Sequence, residues 1–313
     1  MKRKVVQHGP ATLIISLPST WVKKYEVSKG DELNIIEDDN SLLVSTEIKR
    51  KSIEAEIDIT DLDRTSIMYV IRGFYRLGYD KIKINFKKPT TMYQRAGKEI
   101  STHVVIHTEV NRLVGYEVIQ ESDKSCTIKD LQDASGKDFD QVLRRIFLLL
   151  NEASKSLVEG AKTKNDIILE TIENKHDTIT KFASYCLRLL NKKNHPTPRK
   201  TSYYYHIIAS IDRIVDIIKY AARDLRKYKT EASPEILKIL EKTHDTIYNY
   251  YKFFYKYDNE KIREMNGNRY MLEKKIRSLP NGTPTIEIII ATNIFHILEM
   301  LLDLVEARTA LEY

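Results

Sequence analysis

Two helical segments near the C-terminal end of the chain repeat each other at an offset of 87 residues. When 201–226 is set beside 288–313, apolar residues fall on apolar residues with the i, i+3/i+4, i+7 spacing of an amphipathic helix. The acidic pair Asp212/Asp216 then falls on Glu299/Asp303. Self-similarity over so long an interval predicts a duplicated helical bundle rather than a solenoid of short repeats. The alternative is that two unrelated amphipathic helices happen to align.

A third helical segment carries another acidic pair with the same spacing, Glu173/Asp177. Like charges four residues apart repel on a helix face, at a cost of about 0.2–0.5 kcal/mol per pair. A bound cation offsets that repulsion, and hard metal ions take oxygen ligands from convergent carboxylates. The alternative is that these helix faces are simply solvated. The predicted metal ligands are Glu173, Asp177, Asp212, Asp216, Glu299 and Asp303.

Composition narrows the class of protein. A chain of 313 residues with 42% hydrophobic content predicts two or three domains with real cores. The two cysteines, Cys126 and Cys186, belong to no CxxC pair, which argues against a thiolate zinc site and fits a reducing compartment. Charged and polar residues interrupt the most apolar stretch, 286–305, so no membrane insertion is predicted. We expect a cytoplasmic protein.

The pattern along the chain predicts three domains. Residues 1–47 alternate as strand, strand, short helix, strand and strand, with a predicted strand over 12–17 and Ser19 or Thr20 capping the helix. Residues 48–138 predict a small α/β domain of order βαβαββ, whose helices run from Asp61 to Leu77 and from Met92 to Glu109. Residues 139–313 are nearly all helical. The fold class is therefore α+β and multidomain.

Six helices are predicted in the last region, at about 139–162, 166–192, 200–229, 233–256, 259–279 and 284–310. Two matching sets of three helices imply two three-helix bundles side by side. The first domain is different, because fewer than fifty residues bury little surface and usually need a metal, a disulfide or a partner. With no cysteine or histidine cluster in 1–47, we expect this domain to form a homodimer.

The N-terminal residues resemble a known domain. The run from Gly9 through Thr12 to Pro18, followed by Trp21 and by 27–33, resembles the AbrB/SpoVT swapped-hairpin domain. That resemblance implies two chains interleaving their hairpins into a barrel-like dimer that binds DNA through basic residues. Matched by position, the implied DNA-binding residues are Arg3, Lys4, Gln7, Ser19, Lys23 and Lys24. The alternative is a dimerisation or docking module with a basic rim.

The helical half resembles PhoU, a regulator of phosphate uptake. Its signature, near Leu-Glu-Arg-Ile-Gly-Asp, has counterparts in 211–216 and 298–303, and its upstream acidic motif has one in 173–177. The resemblance implies metal clusters on these motifs, with iron, zinc, manganese or magnesium as the ion. The fifth helix departs from the pattern, because Asn266 and Tyr270 stand where an acidic pair is expected. His176 is predicted to be an exposed packing residue rather than an auxiliary ligand.

An AbrB-like domain, an α/β domain and a PhoU-like bundle in one chain are similar to the archaeal PhoU-type regulators. The resemblance implies transcriptional control of phosphate transport, with DNA, a second copy of the chain and a phosphate ABC transporter ATPase or a sensor kinase as partners. The alternative is an adaptor that does not bind DNA and represses a transporter or kinase through protein contacts. A metallohydrolase is a third interpretation. No nucleophile with its base is assigned, so we expect no enzymatic activity.

Overall fold

The structure is a computed structural model that describes residues 1–38, 40–46, 52–132, 138–192, 200–229 and 232–313. The chain divides into two compact units, Met1–Lys51 and Ser52–Tyr313. The boundary predicted between residues 47 and 48 lies outside the described residues. The α/β and helical domains, which were predicted to meet at residue 138, both belong to the second unit.

Two β-hairpins and one short helix make up the first unit. The elements are β1 (Val6–His8), β2 (Thr12–Ile14), α1 (Ser19–Lys24), β3 (Leu33–Asp38) and β4 (Ser41–Thr46). β1 pairs antiparallel with β2, and β3 pairs antiparallel with β4. Gly9 adopts φ +76° in the first turn, a conformation that residues with a Cβ rarely take. The order of elements agrees with the sequence prediction.

Two details of this unit correct the prediction. The strand predicted over 12–17 ends at Ile14, because β1 supplies only three residues for pairing. Ser19 does not cap α1 but is its first residue. Pro18 occupies the N-cap position with extended dihedral angles, φ −62° and ψ 126°, and no side chain makes a capping hydrogen bond. The Pro18 carbonyl accepts the first helical bond, from the Val22 N–H at 2.9 Å.

The first unit has no buried core of its own. None of the side chains described between residues 1 and 46 is buried. The large apolar side chains it exposes are Met1, Val5, Val6, Leu13, Ile14, Ile15, Ile35, Ile36, Leu42 and Leu43. Ile35 and Leu42 are each 63% exposed. Exposed apolar side chains in such number in a unit without a core indicate an interaction surface, which the predicted homodimer would cover.

Replacing Ile35 and Leu42 together with Lys is expected to weaken dimerisation about tenfold or more, because buried apolar anchors dominate interface energy. Sedimentation over a concentration series measures the change. The matched control is Ile167→Lys/Met271→Lys, which adds the same charge at exposed apolar positions of the second unit. A dimer that is equally stable in both variants would contradict the role assigned to the hairpin surface.

The second unit begins with a four-stranded sheet. Its elements are β5 (Glu54–Asp58), α2 (Arg64–Leu77), β6 (Lys81–Asn85), α3 (Thr102–Val110), β9 (Tyr116–Ser122) and β10 (Ser125–Asp130). The strand order is β5-β6-β10-β9, with β5 parallel to β6 and the other pairs antiparallel. Asp63 caps α2 by accepting from the Ser66 N–H at 2.8 Å, so this helix starts three residues after the predicted Asp61. The predicted order βαβαββ is found in this sheet.

The helix predicted from Met92 to Glu109 is wrong over its first half. The chain instead forms a hairpin of β7 (Thr90–Tyr93) and β8 (Lys98–Ser101), and α3 starts only at Thr102. β-Branched and aromatic residues in β7 favour a strand. Gly97 then adopts φ +61°, which ends the turn that joins the two strands. This hairpin packs beside α2.

The predicted helices of the last region are found among the described residues. They are α4 (Phe139–Thr163), α5 (Asp166–Asn191), α6 (Thr201–Tyr228), α7 (Pro234–Tyr255), α8 (Asn259–Arg277) and α9 (Thr285–Glu312). α4, α5 and α6 pack against one another, and so do α7, α8 and α9. The two sets are joined where α6 meets α9 and where α4 meets α7. The repeated segments are thus neighbours in the core, and their shared positions Ile211 and Leu298 are both buried.

Of the described helices, α9 is the one long and apolar enough to cross a membrane. Its position in the bundle explains that composition, because it packs against α6, α7 and α8. Two buried charged residues on it are hydrogen-bonded to neighbouring elements. Ser233 donates to the Glu287 carboxylate at 2.7 Å, and Arg308 donates to the Phe254 carbonyl at 2.6 Å.

Arg188 joins the α/β domain to the helical domain. This α5 side chain is 1% exposed and donates to the Tyr75 carbonyl at 2.7 Å and to the Asp130 carboxylate at 2.6 Å. Its guanidinium lies 4.8 Å from the ring centre of Tyr75 and 5.0 Å from that of Tyr116. A buried charge is tolerated only when paired and hydrogen-bonded, so this network fixes α2 against α5.

Candidate functional site

Four of the six predicted metal ligands converge on one cleft in the second unit. Glu173 and Asp177 reach it from α5, and Asp212 and Asp216 from α6. The cleft has a volume of about 310 Å³ and is bounded on its other side by α2 and by the β7–β8 hairpin. The i, i+4 spacing predicted a shared face on each helix, and the packing of α5 on α6 brings the two faces together.

Each of the four carboxylates is paired with a basic side chain. The pairs are Glu173 with Arg223, Asp177 with Arg112 at 2.9 Å, Asp212 with Arg76 at 2.8 Å, and Asp216 with Lys219 at 2.5 Å. The Arg223–Glu173 pair is bidentate, and its second contact, from Nη2 to Oε2, measures 2.6 Å. Thr180 also donates to Asp212, at 2.8 Å. Protein cations thus offset the repulsion within each acidic pair.

His176 bridges two of these carboxylates from the floor of the cleft. Its Nδ1 lies 3.0 Å from Asp177 and its Nε2 lies 2.9 Å from Asp216. Burial opposes protonation of the imidazole, yet the two carboxylates outweigh burial and raise the pKa of His176. The side chain is only 12% exposed, so the prediction of an exposed packing residue is wrong.

Asp216 and Lys219 respond to the same surroundings in opposite ways. Burial alone would raise the pKa of Asp216, but hydrogen bonds from His176 and Lys219 lower it to about 2. Burial lowers the pKa of Lys219, against the attraction of Asp216. The Lys219 ammonium also lies 2.8 Å from Nε2 of His176. That nitrogen accepts from Lys219 when it carries no proton and donates to Asp216 when it is protonated.

The residues as arranged do not fit a bound metal cluster. The carboxylate oxygens are the hard donors that Mg²⁺ or Fe³⁺ takes, but every one of the four carboxylates already faces a protein base. In the part of the chain that the structure describes, no group of three or more His, Cys, Asp or Glu side chains is arranged to hold a metal ion. A metal ion at this position would have to displace arginine or lysine side chains.

The third predicted pair lies elsewhere, on α9. Glu299 accepts from Arg269 of α8 at 2.6 Å, and Asp303 is exposed to solvent. Neither residue lines the cleft that holds the other four. The sequence showed no acidic pair on the fifth helix of the helical domain, which is α8. In the structure Arg269 of α8 faces Glu299 instead.

Sequence reasoning missed the basic residues that face the acidic pairs. Arg72 and Arg76 come from α2, Arg95 follows β7, and Arg112 follows α3, so all four belong to the α/β domain. A signal was present, because Arg64, Met68, Arg72 and Arg76 recur at steps of four residues and so share one helix face. Arg72 also forms a bidentate pair with the fully buried Glu109, at 2.7 and 3.0 Å.

The predicted DNA-binding residues all lie in the first unit and are all exposed. Arg3 and Lys4 precede β1, Gln7 is its second residue, Ser19 begins α1, and Lys23 and Lys24 form its last turn. Gln7 donates to the Pro10 carbonyl at 3.5 Å within the hairpin turn. Trp21 packs against Tyr25 with ring centres 5.4 Å apart, which leaves the lysines on the solvent side of the helix.

Comparison with known proteins bears on the first unit. Residues 7–54 match the family described as antidote-toxin recognition MazE, bacterial antitoxin. No curated protein and no solved structure matches the chain. The family match supports the predicted AbrB-like DNA-binding domain. Because domains of this kind are typically DNA-binding dimers, it indicates a DNA-binding regulator that forms a homodimer through its N-terminal region.

Replacing His176 with Gln is expected to change how the free energy of unfolding depends on pH. Because the pKa of His176 is raised in the folded protein, its stabilising effect is complete below about pH 6.5 and is lost as the pH rises through the folded-state pKa. Urea unfolding at about pH 6 and about pH 8 measures the difference. The wild type should lose more stability over this interval than His176→Gln.

The matched control for this experiment is His296→Gln, at an exposed position on α9. It should follow the wild type. Parallel pH profiles for the wild type and His176→Gln would mean that the bridge to Asp177 and Asp216 does not favour the charged imidazole.

Proposed function

We propose that the chain is a transcriptional regulator of phosphate transport. In this proposal the paired N-terminal domains bind DNA and the helical domain receives the phosphate signal. The observation that carries the DNA-binding part is the first unit, which exposes its basic residues, lacks a core of its own and matches a MazE-like domain. A dimer supplies the missing core and brings two basic surfaces to one duplex.

The phosphate part of the proposal rests on the order of motifs in the helical domain. The acidic motifs at 173–177, 212–216 and 299–303 resemble those of PhoU, and the helices carrying them belong to two sets of three. The proposed partners beyond DNA are a phosphate ABC transporter ATPase or a sensor kinase. We propose no catalytic activity, because the sequence assigns no nucleophile with its base.

Binding of the full chain to a fragment from upstream of its own gene should depend strongly on salt. Log K should fall linearly with log salt, because each phosphate that the protein neutralises releases a counterion. Lys23→Ala/Lys24→Ala should flatten that slope by about 0.9 for each DNA phosphate that the variant no longer neutralises. Fluorescence anisotropy over a salt series measures both slopes.

The control for the DNA experiment is Lys274→Ala/Lys275→Ala, which removes the same charge from α8 in the second unit. It should leave the slope unchanged. Binding that is absent at low salt, or a slope that both variants change equally, would favour the adaptor that acts only through protein contacts.

Metal binding by the acidic pairs stays a prediction, and elemental analysis checks it. If iron, zinc, manganese or magnesium binds there, protein purified without added metal should contain it in stoichiometric amount. Asp212→Asn/Asp216→Asn should lose it, because two oxygen donors become weakly coordinating amides. Glu241→Gln/Asp245→Asn removes an acidic pair of the same spacing on α7 and serves as the matched control. Metal-free wild-type protein would contradict the prediction.

A further inference from the structure

The cleft between α2, α5 and α6 carries more positive than negative charge. Arg64, Arg72, Arg95, Arg112, Lys219 and Arg223 line it, against the carboxylates of Glu173, Asp177, Asp212 and Asp216. Arg76 and Glu109 do not line the cleft but pair with residues that do. Including them adds one charge of each sign, so the surplus stays at two positive charges. The sequence predicted a cation site here, but the surplus positive charge of the cleft favours an anion.

Two arginines account for this surplus. Four bases are matched to the four carboxylates, and Arg72 is matched to the buried Glu109. Within the described residues, Arg64 and Arg95 have no carboxylate partner. Arg64 is half-buried at the start of α2, and Arg95 is exposed in the turn after β7.

Arg64 is held in position without being neutralised. Its guanidinium lies 4.4 Å from the ring centre of Tyr93, which is a cation–π distance. The planar face is thereby occupied, while the N–H groups at its edge stay available for hydrogen bonds. Tyr93 belongs to the β7–β8 hairpin, so the same element places both Arg95 and the ring that orients Arg64.

The surroundings favour entry of an anion from solvent. A neighbouring cavity shares Tyr93, Arg95, Glu173 and Arg223 with the cleft. Its other charged lining residues are Arg226, Lys227 and Asp166, so it also carries a positive surplus. The surplus of positive over negative charge in the cleft raises the local concentration of anions. A cleft of about 310 Å³ has room for roughly ten waters at about 30 Å³ each, and therefore for a small hydrated oxyanion.

We propose that this cleft binds a small dianionic oxyanion of the phosphate class, held directly by Arg64 and Arg95. The guanidinium fork matches the geometry of phosphate oxygens and forms charge-assisted hydrogen bonds with them. Binding neutralises the two unmatched charges and bridges α2 to the β7–β8 hairpin. The proposal gives the second unit a ligand class. It rests on the proposed function for its regulatory meaning, although the binding itself does not require that function.

The test is calorimetric titration of the full chain at constant ionic strength, with and without EDTA, with inorganic phosphate as the probe. Saturable binding is expected, and Arg64→Gln/Arg95→Gln should weaken it about tenfold or more. The matched control is Arg263→Gln/Arg277→Gln, which removes two highly exposed arginines of α8 and should bind as the wild type does. Circular dichroism verifies that both variants are folded.

A second arm identifies the source of the phosphate group. Titration with glycerol 3-phosphate distinguishes a phosphate monoester from the free ion by which of the two binds more tightly. Either preference supports the proposal if it is lost in Arg64→Gln/Arg95→Gln. No saturable binding of either probe, equal weakening in both double variants, or binding that EDTA abolishes in the wild type would overturn it, the last because a metal would then hold the anion.

The outcome is separable from that of the DNA experiment. Arg64→Gln/Arg95→Gln should bind DNA in the absence of phosphate as the wild type does, since both residues lie in the second unit. Wild-type protein that binds phosphate but not DNA would overturn the proposed function and leave the oxyanion site standing. Wild-type protein that binds DNA but not phosphate would overturn the oxyanion site and leave the DNA-binding part of the proposed function standing.

Discussion

The buried guanidinium of Arg188 is the interaction on which the second unit depends. It comes from α5, in the helical domain, and reaches the Tyr75 carbonyl and the Asp130 carboxylate of the α/β domain. Lys192 and Asp80 belong to the same charge network. Because Arg188 and Asp130 are buried, removing a member of this network is costly, and the network favours one arrangement of the two domains. α2 is thereby held against α5, and its arginine face is directed at the acidic pairs of α5 and α6.

This arrangement determines which cations pair with the acidic motifs. On isolated helices, the residues of Glu173/Asp177 and of Asp212/Asp216 repel each other, and a nearby cation would stabilise each pair. In the structure Arg76 and Arg112 of the α/β domain and Lys219 and Arg223 of α6 supply it. His176 links the two helices through Asp177 and Asp216, so its protonation connects the packing of α5 on α6 to pH.

Much of the fold follows from sequence periodicity, because long amphipathic helices and breakers such as Pro234 are local signals. Helix periodicity also predicted that each acidic pair lies on one face of its helix. The β7–β8 hairpin was not predictable, since the apolar residues after Pro89 also fit a helix and the deciding conformation at Gly97 is not visible in a pattern. Arg76 and Arg112 were missed as partners of the acidic pairs because they come from another domain, and Arg112 lies 65 residues from Asp177 along the chain.

The exposed apolar strands of the first unit tie DNA binding to the amount of protein in the cell. A hairpin domain without its own core is stabilised when two chains pair, and the paired form grows roughly with the square of chain concentration while most chains are unpaired. Occupancy of an operator then rises more steeply than chain number. A small change in synthesis or degradation becomes a larger change in gene control, with no ligand involved.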